Sequence, residues 1–413
     1  MMTDAVIIGG GIAGTRCAIE LSRLGFRSVV VEKNPYPGGH VALYCCKATD
    51  QCQRCGACLL EDQLESSDAS NRIGWSLRST VTEVERSNGS FSVTLNRQPL
   101  RIYPDKCNQC GKCLEVCPVP DALSNTFVKN GMSLDEDNCL FFKDGSCRAC
   151  EKACSAGAVN LDGEAEEVKI EAGTVILACG FKAFDPHEKP RFGYGRIHGV
   201  ITALELDSIL RRDNFDAGEG ETKLKSVAFI QCVGSRDAKI GRNYCSQVCC
   251  GYALRLAELL RHRFHGIQPT IFYMDIQSFD RDFEARFQAF RRNLRLVRAI
   301  PGEIRHGADG RPELVYLGSN EERIAESFDL VVLSVGISPD PELLPLAELL
   351  GVQINQDGFL GRDGNEVLTD ATGVFVAGAV HGPKSIEDTV SHSIRTAGTV
   401  ASYLKGSCRG ENR

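Results

Sequence analysis

The stretch Ala5-Val-Ile-Ile-Gly-Gly-Gly-Ile-Ala-Gly14 decides how the rest of the chain is read. Four apolar residues form a strand that runs straight into glycines. A helical pattern follows, with Cys17, Ala18, Leu21 and Leu24, and Gly25 ends it. Ser28 to Val31 is a second strand, and Glu32 stands at its carboxyl end. Gly9, Gly11 and Gly14 meet the pattern G-x-G-x-x-G. That pattern is weak alone. Between a strand and a helix, with an acidic residue after the next strand, it predicts a dinucleotide-binding βαβ unit. Gly9 permits the tight turn, Gly11 lets a pyrophosphate approach the backbone, and Gly14 allows close helix–strand packing. The helix start at Ile12 and Ala13 offers free N–H groups to the phosphates. Glu32 is expected to bind a ribose hydroxyl pair, with Lys33 and Gly39 beside it. A glycine turn in an unrelated α/β fold is the competing reading.

Two later segments bear on which dinucleotide binds. Thr174-Val-Ile-Leu-Ala-Cys-Gly180 and Thr372-Gly-Val-Phe-Val-Ala-Gly378 resemble short motifs of flavoproteins with two dinucleotide-binding domains. Cys179 stands where the first motif usually has Thr. Ala379 stands where many such enzymes have an Asp for the ribityl chain. With the N-terminal loop, these strands point to FAD in a thioredoxin-reductase-like fold. That fold carries a second dinucleotide domain, and its candidate strand, Ser226–Gln231, leads into Cys232-Val-Gly-Ser-Arg236. Neither G-x-G-x-x-G nor the reductase CxxC is present there, which disfavours nicotinamide binding and dithiol exchange.

The chain has 413 residues, enough for two or three domains, with 43% hydrophobic and 24% charged residues, as in soluble globular chains. The net charge of −7 and a single Trp argue against a nucleic-acid binder. No apolar run approaches a membrane span. Residues 77–102 alternate through Phe91, Val93 and Leu95 as antiparallel strands do. Helical patterns are expected over 251–264 and 280–297, strands at Thr270–Met274, Leu330–Val335 and Gly373–Ala377, and a polar linker over 213–222. Arg291, Arg292, Arg295 and Arg298 read as one basic stripe on the second of those helices.

The abnormal count is 20 Cys. The N-terminus enters a strand at once, without a basic region and apolar signal core, so no cleavable leader is expected and the thiols should be cytosolic and reduced or metal-bound. Cys107, Cys110, Cys113 and Cys117, followed by Pro118, form C-x₂-C-x₂-C-x₃-C-P, the run that ligates iron–sulfur clusters in ferredoxins. Its partner run is Cys139, Cys147, Cys150 and Cys154. Because the fourth Cys of each run ligates the other cluster, one [4Fe–4S] cluster is expected on Cys107, Cys110, Cys113 and Cys154, the other on Cys117, Cys139, Cys147 and Cys150. Eight cysteines in this arrangement exceed what one structural zinc requires. A third group is Cys232, Cys245, Cys249 and Cys250. Spacing alone leaves it open between a cluster and buried, spare cysteines. A fourth is Cys45, Cys46, Cys52, Cys55 and Cys58, which fits a further cluster on Cys45, Cys52, Cys55 and Cys58, with Cys46 as the alternative to Cys45, or a zinc knot.

The run Gln231-Cys-Val-Gly-Ser-Arg-Asp237 with Tyr244-Cys-Ser-Gln-Val-Cys-Cys250 closely resembles the A-type subunit of heterodisulfide reductase, an iron–sulfur flavoprotein, and the resemblance covers nearly the whole chain. It implies an α/β, two-dinucleotide-binding-domain (thioredoxin-reductase-like) FAD fold with an inserted two-cluster ferredoxin-like domain. It implies a flavin-proximal cluster on Cys232, Cys245, Cys249 and Cys250. It also implies a catalytic lysine near the isoalloxazine at Lys384, in Gly382-Pro-Lys384. Gly180, Gly378 and Ala379 complete the expected flavin contacts, and Ala379 agrees with this family. The expected division is 1–100, 163–222 and 331–413 for the FAD-binding domain, 101–162 for the ferredoxin-like insert and 223–330 for the second dinucleotide-domain-like unit with the flavin-proximal cluster. Full-length members have further N- and C-terminal domains, so a short form is expected, similar to the A-type subunit of the quinone-interacting membrane-bound oxidoreductases. The implied function is electron transfer that converts two-electron flavin chemistry to one-electron cluster traffic, with flavin-based bifurcation in the best-known relatives. The implied partners are subunits of the B and C type, or a hydrogenase or dehydrogenase delta-type electron-input subunit, in a cytoplasmic hetero-oligomer that meets a membrane through its partners. A scaffold that only feeds a partner's active site and an NAD(P)H-dependent flavoprotein reductase are the other readings.

Overall fold

The strand Met2–Ile8 (β1) lies inside a seven-stranded sheet. Across that sheet run Ile73–Ser76, Ser28–Val31, β1, Glu166–Leu177, Ser90–Arg97 and Ser79–Ser87, and Val374–Val376 also pairs with the end of Glu166–Leu177. β1 is parallel to both its neighbours, so both its faces are covered. Val6 and Ile8 enter one core with Val93 and Leu95, while Ala5 and Ile7 enter another beneath two helices. Those helices are Ile12–Arg23 (α1) and the long final helix, Ile386–Gly410. Cys17 and Ala18 of α1 meet Ala397 and Ala401 across small side chains, which lets the helices approach closely. The computed structural model describes residues 2–410 apart from 88, 126–131, 213, 214, 216, 219–223, 278–282 and 363. The linker expected over 213–222 lies largely outside the described residues.

The second unit is a five-stranded parallel sheet in the order Val200–Thr202, Leu330–Val335, Ser226–Val233, Gln268–Phe272, Arg295–Val297. We label Ser226–Val233 β2 and Leu330–Val335 β3. One face packs on helices Ala203–Arg211 (α2), Cys249–Arg263 (α3) and Phe283–Asn293 (α4). The other packs on a three-stranded antiparallel layer, Glu303–His306, Pro312–Leu317 and Arg323–Ser327. The boundaries 223–330 therefore need correction in both directions, because Val200–Thr202 and β3 hydrogen-bond into this sheet rather than the first. The helix expected over 280–297 also stops early. α4 ends at Asn293, and Arg295–Val297 leaves it to become the edge strand beside Gln268–Phe272. Arg295 and Arg298 are thus off the helix: Arg295 pairs with Glu326, and Arg298 donates to the Met274 carbonyl.

Between Ser90–Arg97 and Glu166–Leu177 the chain leaves the first sheet. Among the described residues its path holds three short helices, Lys112–Glu115, Leu140–Asp144 and Ala149–Ala153, and the pair Leu123–Asn125 and Met132–Leu134. This insert has its own small core of Ile102, Leu123, Met132, Leu134, Ala158 and Leu161. Glu136 ties it back to the first unit through Arg78 at 2.5 Å and also pairs with Arg101 at the insert's start at 2.7 Å. The last helix, Ile386–Gly410 (α5), closes the first unit. Among the described residues no helix is long and apolar enough to cross a membrane.

Candidate functional site

A cavity of about 760 Å³ opens at the carboxyl end of β1. Gly9, Gly11, Ile12, Ala13, Glu32, Lys33 and Gly39 line one part of it, and Gly180, Ala379 and Lys384 line another. The glycines have different reasons to be there. A Cβ on Gly14 would collide with the Gly9 carbonyl, and one on Gly378 would lie 2.6 Å from the Ala13 Cβ. A Cβ on Gly11 would meet nothing nearer than the Gly39 Cα at 3.9 Å. Gly14 and Gly378 thus serve packing, whereas the open space over Gly11 faces the cavity. This fits a pyrophosphate lying against the backbone at the start of α1.

Glu32 is buried, with one carboxylate oxygen accepting from the Gly10 N–H at 2.7 Å and the other from the Asn34 N–H and side-chain amide at 2.8 Å. Burial raises its pKa, against the pull of those donors. Lys33 is held outward near Glu342. His40 hydrogen-bonds the Phe181 carbonyl at 2.9 Å and stacks on that ring. Burial lowers the pKa of the Lys384 ammonium, with the Glu366 carboxylate opposing. His392, a buried residue of α5, fixes the Gly378 N–H through its Nδ1 at 2.8 Å. A volume of this size, with a phosphate loop at one side and a half-buried cation at another, fits an extended dinucleotide such as FAD.

The cavity also touches two of the cysteine groups. Cys249 and its neighbours Gln247 and Val248 line it, and so do Arg54 and Cys55. Cys249 and Cys250 are the first two residues of α3, so the adjacent pair sits at a helix start. Cys232 hydrogen-bonds Cys249, and its pKa is lowered to about 7, first by that bond and then by the Arg236 guanidinium, against burial. Cys249 is raised as the donor between Cys232 and Cys250. Cys245 is raised by burial and by the charge of Cys232 and Cys250. The four cysteines are therefore neighbours. Arg236 is braced by Asp275 at 2.5 and 3.1 Å.

In the fourth group, Cys58 is raised by burial and by the charges of Cys55, Cys52 and Cys46. Cys45 points elsewhere. It is 4% exposed and packs into the core of the second unit with Leu206 and Leu210. Its pKa is pushed to about 12 by burial and by Asp207. Of the two alternatives left open at this site, Cys45 is packed away in that core, whereas Cys46 lies near enough to act on Cys58.

In the insert, Cys107, Cys110, Cys113 and Cys154 line one small cavity. Cys113 is raised by burial and by the charges of Cys107 and Cys154. Cys150 is pushed to about 11 by burial and by Cys139, Cys117 and Cys147. Cys107, Cys110, Cys113 and Cys154 thus lie together, and Cys150 lies near Cys117, Cys139 and Cys147. Among the described residues no three His, Cys, Asp or Glu side chains are drawn in tightly enough to grip a single metal ion. The donor chemistry of the four sites is uniformly soft thiolate, which suits iron–sulfur clusters. Sequence reasoning missed Tyr44, Lys47, Arg54, Tyr252 and Arg255 on the cavity wall. None of them belongs to a motif.

A model of the pyridine nucleotide-disulphide oxidoreductase family matches residues 3–397. The chain belongs to that family. It is an oxidoreductase family, and the fold agrees. Thioredoxin reductase from Lactococcus lactis aligns with a TM-score of 0.56 at 16% identity, over 98% of this chain and 99% of that one. Thioredoxin reductase from T. acidophilum gives 0.54 at 16% identity, over 97% and 98%. The resemblance to the A-type flavoprotein of heterodisulfide reductase is also met. In Methanothermobacter thermautotrophicus, the A-type subunit of the H(2):CoB-CoM heterodisulfide,ferredoxin reductase is 35% identical over 96% of this chain and 63% of that protein. In Methanocaldococcus jannaschii, the A-type iron-sulfur subunit of CoB--CoM heterodisulfide reductase is 33% identical over 96% of this chain and 64% of its own length. The chain thus spans a little under two thirds of these relatives.

Proposed function

We propose that this chain is an FAD- and [4Fe–4S]-carrying electron-transfer subunit of the heterodisulfide reductase type. One observation carries the reading: the dinucleotide cavity is walled by Cys249 on one side and Cys55 on another, each a member of a cysteine quartet. A flavin bound there would exchange electrons in pairs or singly, and [4Fe–4S] clusters one at a time. The chain's residues hold and bias these groups. The first N–H groups of α1 would hold the pyrophosphate and Glu32 the ribose. Lys384 would place positive charge against the flavin ring. Cys232, Cys245, Cys249 and Cys250 would ligate one cluster and Cys46, Cys52, Cys55 and Cys58 a second. The insert would carry two more on its crossed quartets. Hydride input from a nicotinamide lacks support, because β2 runs into Cys232 where a phosphate loop would stand.

The finer reading follows from the named relatives. Electrons would be split between two acceptors, and partner subunits of the B and C type, or a delta-type electron-input subunit, would complete a cytoplasmic hetero-oligomer that reaches a membrane only through those partners. The test is the iron, sulfide, zinc and flavin content of the chain purified without oxygen. About 16 iron and one FAD per chain are expected for four cubane clusters. About 12 iron with one zinc would make the Cys46–Cys58 site structural. About 8 iron would leave only the insert and overturn the reading. In Cys46→Ala the iron should fall to about 12, while Cys45→Ala should keep about 16.

A further inference from the structure

β2 and β3 fall out of step at one place. Ile230 pairs with Leu333 and Val233 with Val335, so Gln231 and Cys232 together oppose the single residue Ser334. Cys232 there takes a left-handed backbone, φ 58°, a conformation that non-glycine residues adopt rarely and at a cost. A bulge of this kind re-aims side chains at a strand end. The neighbouring packing shows which way. Ile230, Val233 and Leu333 join the core on the side of the antiparallel layer. Phe229 and Val332 join the opposite core, against Ala253, Leu254 and Ala257 of α3. Gln231 and Ser334, two residues on, share that helix side. They sit at the strand ends next to the helix start, where Cys232 meets Cys249.

Gln231 is 1% exposed and Ser334 0%. Neither Gln231 Nε2 and Oε1 nor Ser334 Oγ has a hydrogen-bond partner among the described residues. A buried polar group left unpaired is costly, and two such side chains beside one cysteine quartet call for a common partner. Their neighbour Arg236 already donates to Cys232.

We propose that Gln231 and Ser334 are positioning residues for the cluster on Cys232, Cys245, Cys249 and Cys250, donating hydrogen bonds from Nε2 and Oγ to its sulfur atoms. The proposal rests on the reading of those four cysteines as cluster ligands. Donors to sulfur stabilise the reduced, more negative form and raise the reduction potential. The bulge then has two uses. It turns Cys232 towards α3, and it brings a donor alongside.

The test is a redox titration followed by electron paramagnetic resonance on the full chain, loaded anaerobically. Ser334→Ala removes a hydroxyl with almost no change in volume, and Gln231→Leu removes the amide. Each should shift the potential of one cluster to a more negative value, leaving iron content and the other cluster potentials as in the wild type. Ser334→Thr keeps the hydroxyl and should restore the wild-type value. Unchanged potentials in both variants at full iron content, as expected if bound water satisfies these groups, would overturn the proposal. So would an equal shift in Ser334→Thr and Ser334→Ala. If Gln231→Leu fails to fold, the smaller Ser334→Ala change decides alone. A wild-type chain that holds only about 8 iron, enough for the insert alone, would instead refute the ligand reading beneath the proposal, and is told apart in that way.

Discussion

Lys384 is a half-buried cation whose ammonium is disfavoured by burial and supported by Glu366. A protein keeps such a charge where something gains from it. A flavin ring that takes on electrons becomes more negative, and a nearby ammonium favours that form. Replacing Lys384 with Ala should therefore lower the flavin midpoint potential, by roughly 20–60 mV if the lost interaction is about 1–3 kcal/mol for two electrons. Spectroelectrochemical titration of the flavin band measures it, and a potential that stays put would separate Lys384 from the ring. At this scale legibility was uneven. The eight insert cysteines fall into two spatial groups that match their order in the two runs. Cys45 and Cys46 could not be told apart by spacing. Adjacent residues on an irregular segment point different ways, and Cys45 is drawn towards the second unit by Asp207, which accepts its N–H at 2.8 Å from far along the chain.

The turn between β1 and α1 shows what an element can state about itself. Strand, glycines and helix were all legible there, because local steric rules demand glycine at those points. The individual glycines carry different loads, and a substitution can separate them. Gly11→Ala meets no protein atom closer than 3.9 Å, so the fold should keep its stability to within about 1 kcal/mol, as for most changes that create no clash or cavity. The new methyl would stand in the space over the backbone where a pyrophosphate is proposed to lie, so FAD retained through gel filtration should fall steeply. Equal flavin occupancy in wild type and variant would remove Gly11 from the cofactor site. Elements whose ends depend on distant partners were harder to read. The helical pattern ran on to residue 297, but the chain leaves the helix at Asn293 because Arg295–Val297 finds a strand partner in Gln268–Phe272. The bulge at Gln231–Cys232 has no local signature. It exists only in the register between β2 and β3.

Across the whole molecule the two dinucleotide-type units were legible, and their boundary was not. Sheet membership is settled by pairing: Leu330–Val335 pairs with Ser226–Val233 across the expected division, and Val200–Thr202 follows it into that sheet as the edge strand. What joins the units was also out of reach of the sequence. Lys47, on the segment that follows the flavin loop, extends into the second unit and meets Asp207 of α2 at 2.6 Å. Both side chains are nearly or fully excluded from water, at 2% and 0% exposure. Asp207 also accepts from the Tyr252 hydroxyl of α3 at 2.6 Å and the Cys45 N–H at 2.8 Å. The Lys47 ammonium lies between the rings of Tyr44 and Tyr252. This cluster therefore anchors the segment bearing Cys46, Cys52 and Cys55 onto the helices of the second unit. Removing only the carboxylate leaves a buried ammonium without its counter-charge, holding the Cys45 carbonyl at 3.0 Å, and leaves the Cys45 N–H without this acceptor. Asp207→Ala should cost about 3–5 kcal/mol, whereas replacing Lys47 and Asp207 together with Met and Leu should recover most of that loss. Denaturant unfolding under anaerobic conditions gives the comparison. If the single variant loses less than about 1 kcal/mol, in the range of an exposed ion pair, the pair does not hold the units together. If it loses the expected amount and the iron of the Cys46–Cys58 site with it, the same contact that fastens the units also sets that site against the cavity.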